Sequence, residues 1–225
     1  MKLSLSWIKD YVQIPEDMDL KKLAYDLTMS TVEVEDVEYL ARRFDNMLVG
    51  VIEKIEPHPN ADKLRVCKVD IGGGEIKDIV CGGINLKEGM RVAVSCPGAV
   101  VRWHGEGEPV VIKNSKPRGV ESYGMICASD EIGLGELFPA SQEAEILDLS
   151  AFEVPAGTSL ADALDMNDVL LEIDNKSMTN RPDLWGHYGI AREIAALYDL
   201  PLKMIEPYTA DVQSDFKVEI NDPDR

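Results

Sequence analysis

A chain of 225 residues, 45% hydrophobic and 28% charged, is long enough to bury a sizeable core as one large domain or two smaller ones. It contains no apolar run of membrane-spanning length, and Met1-Lys2-Leu3-Ser4-Leu5-Ser6-Trp7 lacks a signal peptide's apolar core, so a cytoplasmic protein without a membrane partner is expected. The net charge of −18 argues against a generic nucleic-acid binder, although its distribution matters more than its sum.

Residues 1–38 hold 4 Lys+Arg against 9 Asp+Glu, residues 39–150 hold 13 against 17, and residues 151–225 hold 6 against 15. A surface for a polyanion therefore belongs in the middle. Cysteines 67, 81, 96 and 127 form no Cys-x-x-Cys pair, and histidines 58, 104 and 187 are equally scattered. Neither a zinc site nor a small disulfide framework is supported, and the cysteines read as small buried hydrophobes.

In chain order, Ser6 to Val12 reads as a short helix or turn with aromatic anchors, broken by Pro15. Asp17 is a candidate cap for a helix in which Leu20, Leu23, Ala24 and Leu27 form one face. A short half-exposed strand follows over 31–37. This is too little material for an independent core, so it must pack on something else.

From residue 47 the pattern changes to strands. Leu48–Ile55 is a first strand, and Leu64–Ile71 alternates cleanly, which predicts one buried face. Gly72-Gly73-Gly74 turns a hairpin into 76–81; neither it nor Gly82-Gly83 fits a phosphate-loop pattern, so both read as turns. Residues 91–94 form the next strand, and Val110–Lys113 is expected to pair with Gly124–Cys127. Five or so short strands with glycine turns predict a small closed barrel.

Further on, 151–164 is a loop into a short helix and 168–174 a strand. Asp183 is placed to cap a helix with His187, Ile190, Ala191, Ile194, Ala195 and Tyr198 on one face, stopping before Pro201. From Glu206 a linker leads into a strand at 216–220 that has nothing after it to pair with, as expected of a chain cut short.

Lys113, Lys116 and Arg118 lie within one short stretch, ahead of the adaptable run Ser122-Tyr123-Gly124-Met125. Two readings stand: a contact for phosphates, or a solvated hairpin whose lysines keep a strand edge soluble. Met125 also has a packing role open to it as barrel filling. His58 reads as ordering its proline-flanked turn. Arg181 either belongs to a rigid Asn180-Arg181-Pro182-Asp183 turn or reaches RNA or a partner. Trp7, Trp103 and Trp185 read as packing anchors, with Trp103 in a polar loop beside His104.

His58-Pro59-Asn60-Ala61-Asp62-Lys63-Leu64 and Arg118-Gly119-Val120-Glu121-Ser122-Tyr123-Gly124-Met125 together resemble the tRNA-binding oligonucleotide-binding (OB) fold shared by several synthetase appendages and free-standing tRNA-binding proteins. The flanks narrow this. Ser6–Val12, Val32-Glu33-Val34-Glu35, Glu172-Ile173-Asp174, Asn180–Asp183 and Gly189-Ile190-Ala191-Arg192-Glu193 resemble the bacterial phenylalanyl-tRNA synthetase beta subunit across essentially the whole chain.

The resemblance implies a multidomain α+β fold, with a five-stranded OB-type β-barrel (40–150) inserted into a small discontinuous α/β-mixed domain (1–39 plus 151–200). Residues 201–225 would be a linker and the start of a truncated editing domain, making the chain an N-terminal fragment. It implies tRNA and a catalytic alpha subunit, in a heterotetramer, as partners. ATP and magnesium are implied for the full enzyme that attaches phenylalanine to its tRNA; no cofactor, metal site or catalytic residue is expected in this stretch. Asn60, Lys63, Arg118, Ser122 and Met125 fall on the family's RNA-facing positions, and Lys113 and Lys116 join them on charge alone. The alternatives are a structural module that docks the alpha subunit with little RNA contact, or a free-standing tRNA-binding protein.

Overall fold

The structure, a computed structural model, describes residues 1–207. Its elements run β1 (Lys2–Ser4), α1 (Leu5–Lys9), α2 (Leu20–Ser30), β2 (Val34–Tyr39), β3 (Met47–Pro57), β4 (Arg65–Asp70), β5 (Ile76–Cys81), β6 (Arg91–Ser95), β7 (Val100–Val101), β8 (Val110–Val111), β9 (Met125–Ile126), α3 (Leu160–Ala163), β10 (Val169–Ile173) and α4 (His187–Tyr198). The expected strand at 216–220 lies outside the described residues.

The opening residues find their missing core far along the chain. β10 is the middle strand of an antiparallel β1-β10-β2 sheet, so the two ends of the described chain share one sheet. Leu3, Leu23 and Leu27 from the early stretch close on Leu171, Ile173, Ile190 and Ile194 from the late one. α2 buries Leu23 and Leu27 as its 3.6-residue stripe predicts. Its cap is Asp19 rather than Asp17: the Asp19 carboxylate accepts from the Lys21 and Lys22 amides, the first free donors of a helix beginning at Leu20. α4 likewise starts later than expected. Gly186 precedes it without a side-chain cap, and Asp183, in a 3-10 turn upstream, is spent on Arg181 instead. α4 ends as Asp199 turns left-handed, φ 52°.

The second unit is a five-stranded antiparallel sheet in the order β5-β4-β3-β6-β9, curled until its outer strands nearly meet. On β4, Cys67 and Val69 point inward while Lys68 and Asp70 lie at the surface. The closing seam between β5 and the approach to β9 carries two bonds. Tyr123 N donates to Asp78 O at 2.8 Å, and the Val80 amide donates to the Ser122 hydroxyl at 2.9 Å. A side-chain oxygen thus stands where a ladder carbonyl would be, satisfying a strand edge.

The expected pairing of 110–113 with 124–127 does not form. β8 pairs with β7, and β9 pairs with β6 through Val94–Ile126 and Ser95–Met125; a Ser115–Ser122 bridge forms between them in sequence, outside both segments. Gly124 is the reason. At φ 68° its Cα lies so close to the β6 backbone that a Cβ would come within 2.3 Å of the Ser95 carbonyl oxygen, and this approach delivers the chain to β6.

Residues 157–163 pack on the barrel. Val49 N donates to Thr158 O at 2.9 Å and Gly157 N to Val49 O at 2.8 Å, while Leu160 and Ala161 join Val49, Ala93 and Leu149 in its core. Cys67, Cys81 and Cys127 are buried and Cys96 partly so, all as free thiols. Burial pushes Cys67 and Cys127 up to about 12, which suits packing and not reactivity. Among the described residues, no helix is long and apolar enough to cross a membrane.

Candidate nucleic-acid interface

The two halves of the sequence signature are joined directly. His58 is buried and its Nδ1 accepts from the Asn60 amide at 3.0 Å. That pairing leaves the proton on Nε2, which donates to the Pro117 carbonyl at 3.1 Å. Asn60 then donates Nδ2 to the Arg118 carbonyl at 3.0 Å. His58 therefore orders its own turn, as expected, and also fastens that turn to a loop far along the chain. Arg118 sits at φ 45°, a left-handed conformation that few non-glycine residues adopt; the two side-chain bonds supply what holds it.

With its backbone fixed, the Arg118 side chain is free to project. It lines a hollow of about 510 Å³ together with Pro59, Asp62 and Lys63. Lys63, Lys113 and Arg118 are exposed, and among the described residues none of the three is in an ion pair. Lys116 differs: it pairs with Glu121 at 2.7 Å, which raises the lysine's pKa and lowers the carboxylate's.

Ser122 is buried and its hydroxyl is committed to Val80. Met125 is half-buried on β9, touching the barrel core and also lining a larger hollow beside Lys113. The structure thus brings Asn60, Lys63 and Arg118 together at one end and Lys113, Ser122 and Met125 along the β9 seam. Lys116 stands apart in a groove of about 780 Å³ with Lys68, Lys77 and Tyr123.

That groove holds residues the sequence reading missed. Lys68 bonds Asp78 at 2.9 Å across the β4–β5 ladder, Lys77 pairs with Glu75, and the Lys77 ammonium lies 4.8 Å from the centre of the Tyr123 ring. Period-two alternation does not group these lysines: Lys68 lies across the ladder from outward Asp78, whereas Lys77 lies across from buried Val69, in phase with buried Ile79.

Arg181 is wholly engaged. Its guanidinium donates to Asp183 at 3.0 and 2.9 Å and to Glu193 at 2.8 Å. The three tryptophans are not enclosed anchors: Trp7, Trp103 and Trp185 are 52%, 49% and 53% exposed. Gly72 meets Gly157 backbone to backbone, where a Cβ would lie 2.6 Å from its Cα, so this glycine serves packing.

A five-stranded barrel with cations presented from two interlocked loops is the architecture of an oligonucleotide-binding module, and residues 47–158 match the family described as a putative tRNA binding domain. Over its whole length the chain is similar to phenylalanine--tRNA ligase beta subunits. It is 38% identical to that of Fusobacterium nucleatum subsp. nucleatum over 100% of this chain and 27% of the relative. It is 40% identical to that of Thermosynechococcus vestitus over 92% of this chain and 24% of the relative. The chain thus spans about a quarter of the length of the curated relatives it matches. Among solved structures it is similar to a MetRS related protein from Pyrococcus horikoshii, at 25% identity and a TM-score of 0.35, covering 51% of this chain and 87% of that one.

Proposed function

We propose that this chain is the tRNA-holding part of a phenylalanine--tRNA ligase beta subunit. In the complete cytoplasmic enzyme it supports the ATP-dependent attachment of phenylalanine to its tRNA, and it performs no chemistry of its own. The observation that carries this reading is the His58–Asn60 fastening, which fixes the Arg118 backbone beside Lys63, with neither cation in an ion pair among the described residues. Cations so presented neutralise phosphates and release counterions.

In this reading Lys63, Lys113 and Arg118 meet the RNA backbone, and Asn60 acts by positioning Arg118. Ser122 keeps the seam closed, Met125 offers apolar surface, and Lys116 joins once phosphate displaces Glu121. Residues 40–150, with α3 packed beneath them, hold RNA. Residues 1–39 with 151–200 form the frame, and 201–225 lead toward an editing domain. In this reading ATP and magnesium belong to the catalytic alpha subunit of the heterotetramer.

Titrating tRNA against the chain at low and moderate salt tests the proposal. Weak, salt-sensitive binding is expected, and Arg118→Ala or Lys63→Ala should each lower the slope of log K against log salt by about 0.7–0.9. No binding at either salt would overturn it. A second reading, docking of the alpha subunit with little RNA contact, is favoured by the exposed Trp7 and Trp185 of the frame. Co-purification with the alpha subunit that survives removal of tRNA, alongside unchanged tRNA affinity in Arg118→Ala, would support it.

A further inference from the structure

A hollow of about 800 Å³ lies between β5, β8, β9 and the loop at 140–146. Its volume falls within the range of small-ligand sites, and the role proposed above draws on only Lys113, Ser122 and Met125 of its lining. Val80, Ile112, Met125 and Ile126 give it an apolar lining, and Trp103 stands in its wall, half exposed. Charges of both signs line it: Lys113, free of any ion pair among the described residues, Asp130 and Glu131 from a separate turn, and Glu143 and Glu145 from the loop at 140–146.

The Trp103 loop is tied down. The Arg102 amide donates to the Glu131 carbonyl at 2.9 Å, and the Arg102 guanidinium donates to the Gly107 carbonyl at 2.8 Å. Gly105 is pressed against Asp130, where a Cβ would lie 3.0 Å from the aspartate Cβ. The ring is therefore carried on backbone fixed before any ligand arrives, which lowers the entropy cost of stacking. Glu131 is half-buried and takes the Ala128 amide at 2.8 Å. Burial raises its pKa, against the opposing pull of that bond and of His104.

We propose that this hollow receives one unpaired nucleobase of the bound RNA, stacked on Trp103, with its phosphate at Lys113 and its exocyclic amino group donated to Glu131. The inference rests on the tRNA-holding reading and extends it from backbone to base. An apolar lining that carries four carboxylates rejects phosphate, so the strand's backbone is held at Lys113 and only a base enters. A carboxylate acceptor selects bases that carry an amino donor, cytosine above all, over uracil.

The test uses the full 225-residue chain and short single-stranded oligocytidylate and oligouridylate, read by tryptophan fluorescence and by affinity. Oligocytidylate should quench the fluorescence and bind more tightly than oligouridylate. Trp103→Ala should lose roughly tenfold in affinity, the scale of one base–aromatic stack, while Trp103→Phe keeps most of it. Glu131→Gln retains an oxygen for Ala128 but should abolish the preference for cytosine. Unchanged affinity in Trp103→Ala, with Arg118→Ala still weakening binding, overturns the base site and leaves the tRNA reading standing. Failure of the unsubstituted chain to bind tRNA or either oligonucleotide removes both. A melting transition matching wild type in Trp103→Ala excludes unfolding as the cause of any loss.

Discussion

Arg118 and Arg181 both sit beside a proline in a short 3-10 turn, one in the barrel and one in the frame, and the fold uses them in opposite ways. In the frame the side chain is tied. Arg181 is claimed by Asp183 and Glu193 and links its turn to α4, and those hydrogen bonds raise its pKa, Asp183 first. In the barrel the backbone is tied, by Asn60, and the guanidinium is left over. The sequence displays two similar cations. Which one is available for a ligand depends on which of its atoms the fold has already used, and such partly exposed pairs serve orientation more than stability.

The largest expected effects test whether the two units stand on separate cores. Gly124→Ala places a Cβ 2.3 Å from the Ser95 carbonyl oxygen at a left-handed φ, and should destabilise the barrel by about 3 kcal/mol. Gly189→Ala places one 1.9 Å from the Asp183 carbonyl oxygen and should damage the frame on a similar scale. The frame cluster and the barrel clusters share no residue. Calorimetry should therefore show each change lowering its own transition, with tRNA affinity lost only in Gly124→Ala. A single common shift for both variants would break the comparison.

A smaller effect separates the arginines themselves. Arg118→Ala should weaken tRNA binding several-fold and leave both melting transitions in place. Arg181→Ala should do the reverse, lowering the frame's transition with tRNA affinity unchanged. Equal loss of affinity in both variants would show that an engaged arginine still reaches the ligand.

Much of this was legible before any coordinates. The stripes of α2 and α4 and the alternation of β4 carry a period that survives in a single sequence, and the cations at 113–118 are visible as letters. What was not legible depends on pairs of distant atoms. β8 and β9 are two residues each, too short to hold a period, and their partners are set by Gly124 lying against Ser95. Asp17 and Asp19 are equivalent as letters, and only the backbone turn at Asp19 makes it the cap. Ser122 looks like a loop hydroxyl available to RNA until the barrel seam closes over it and Val80 takes the oxygen. The hollow at Trp103 draws on five separated segments, so no local pattern announces it.

The smallest expected effect concerns two histidines that staple the two units. His58 fastens the barrel's loops, and His187 fastens the start of α4 to the chain's beginning: its Nε2 accepts the Ser4 amide at 3.0 Å, and its ring stacks on Trp7 with centroids 3.9 Å apart. Protonation at Nε2 removes that acceptor. Burial lowers the pKa of His187, opposed by Asp168, whose charge raises it. Burial pushes the Asp168 pKa up, but the bonds from Ser4, Ser6 and Val169 together outweigh it and hold it low, so it stays anionic and limits the shift. The folded frame therefore prefers neutral His187, while the unfolded chain titrates near 6.5. Above that value the contribution is fully present; it is lost as pH falls from there toward the lower folded value, where the unfolded chain binds more protons. The frame's melting temperature should decline across this window by more than it does in His187→Asn. Parallel profiles for wild type and variant would assign the acid sensitivity to another group and leave the His187–Ser4 bond a packing detail.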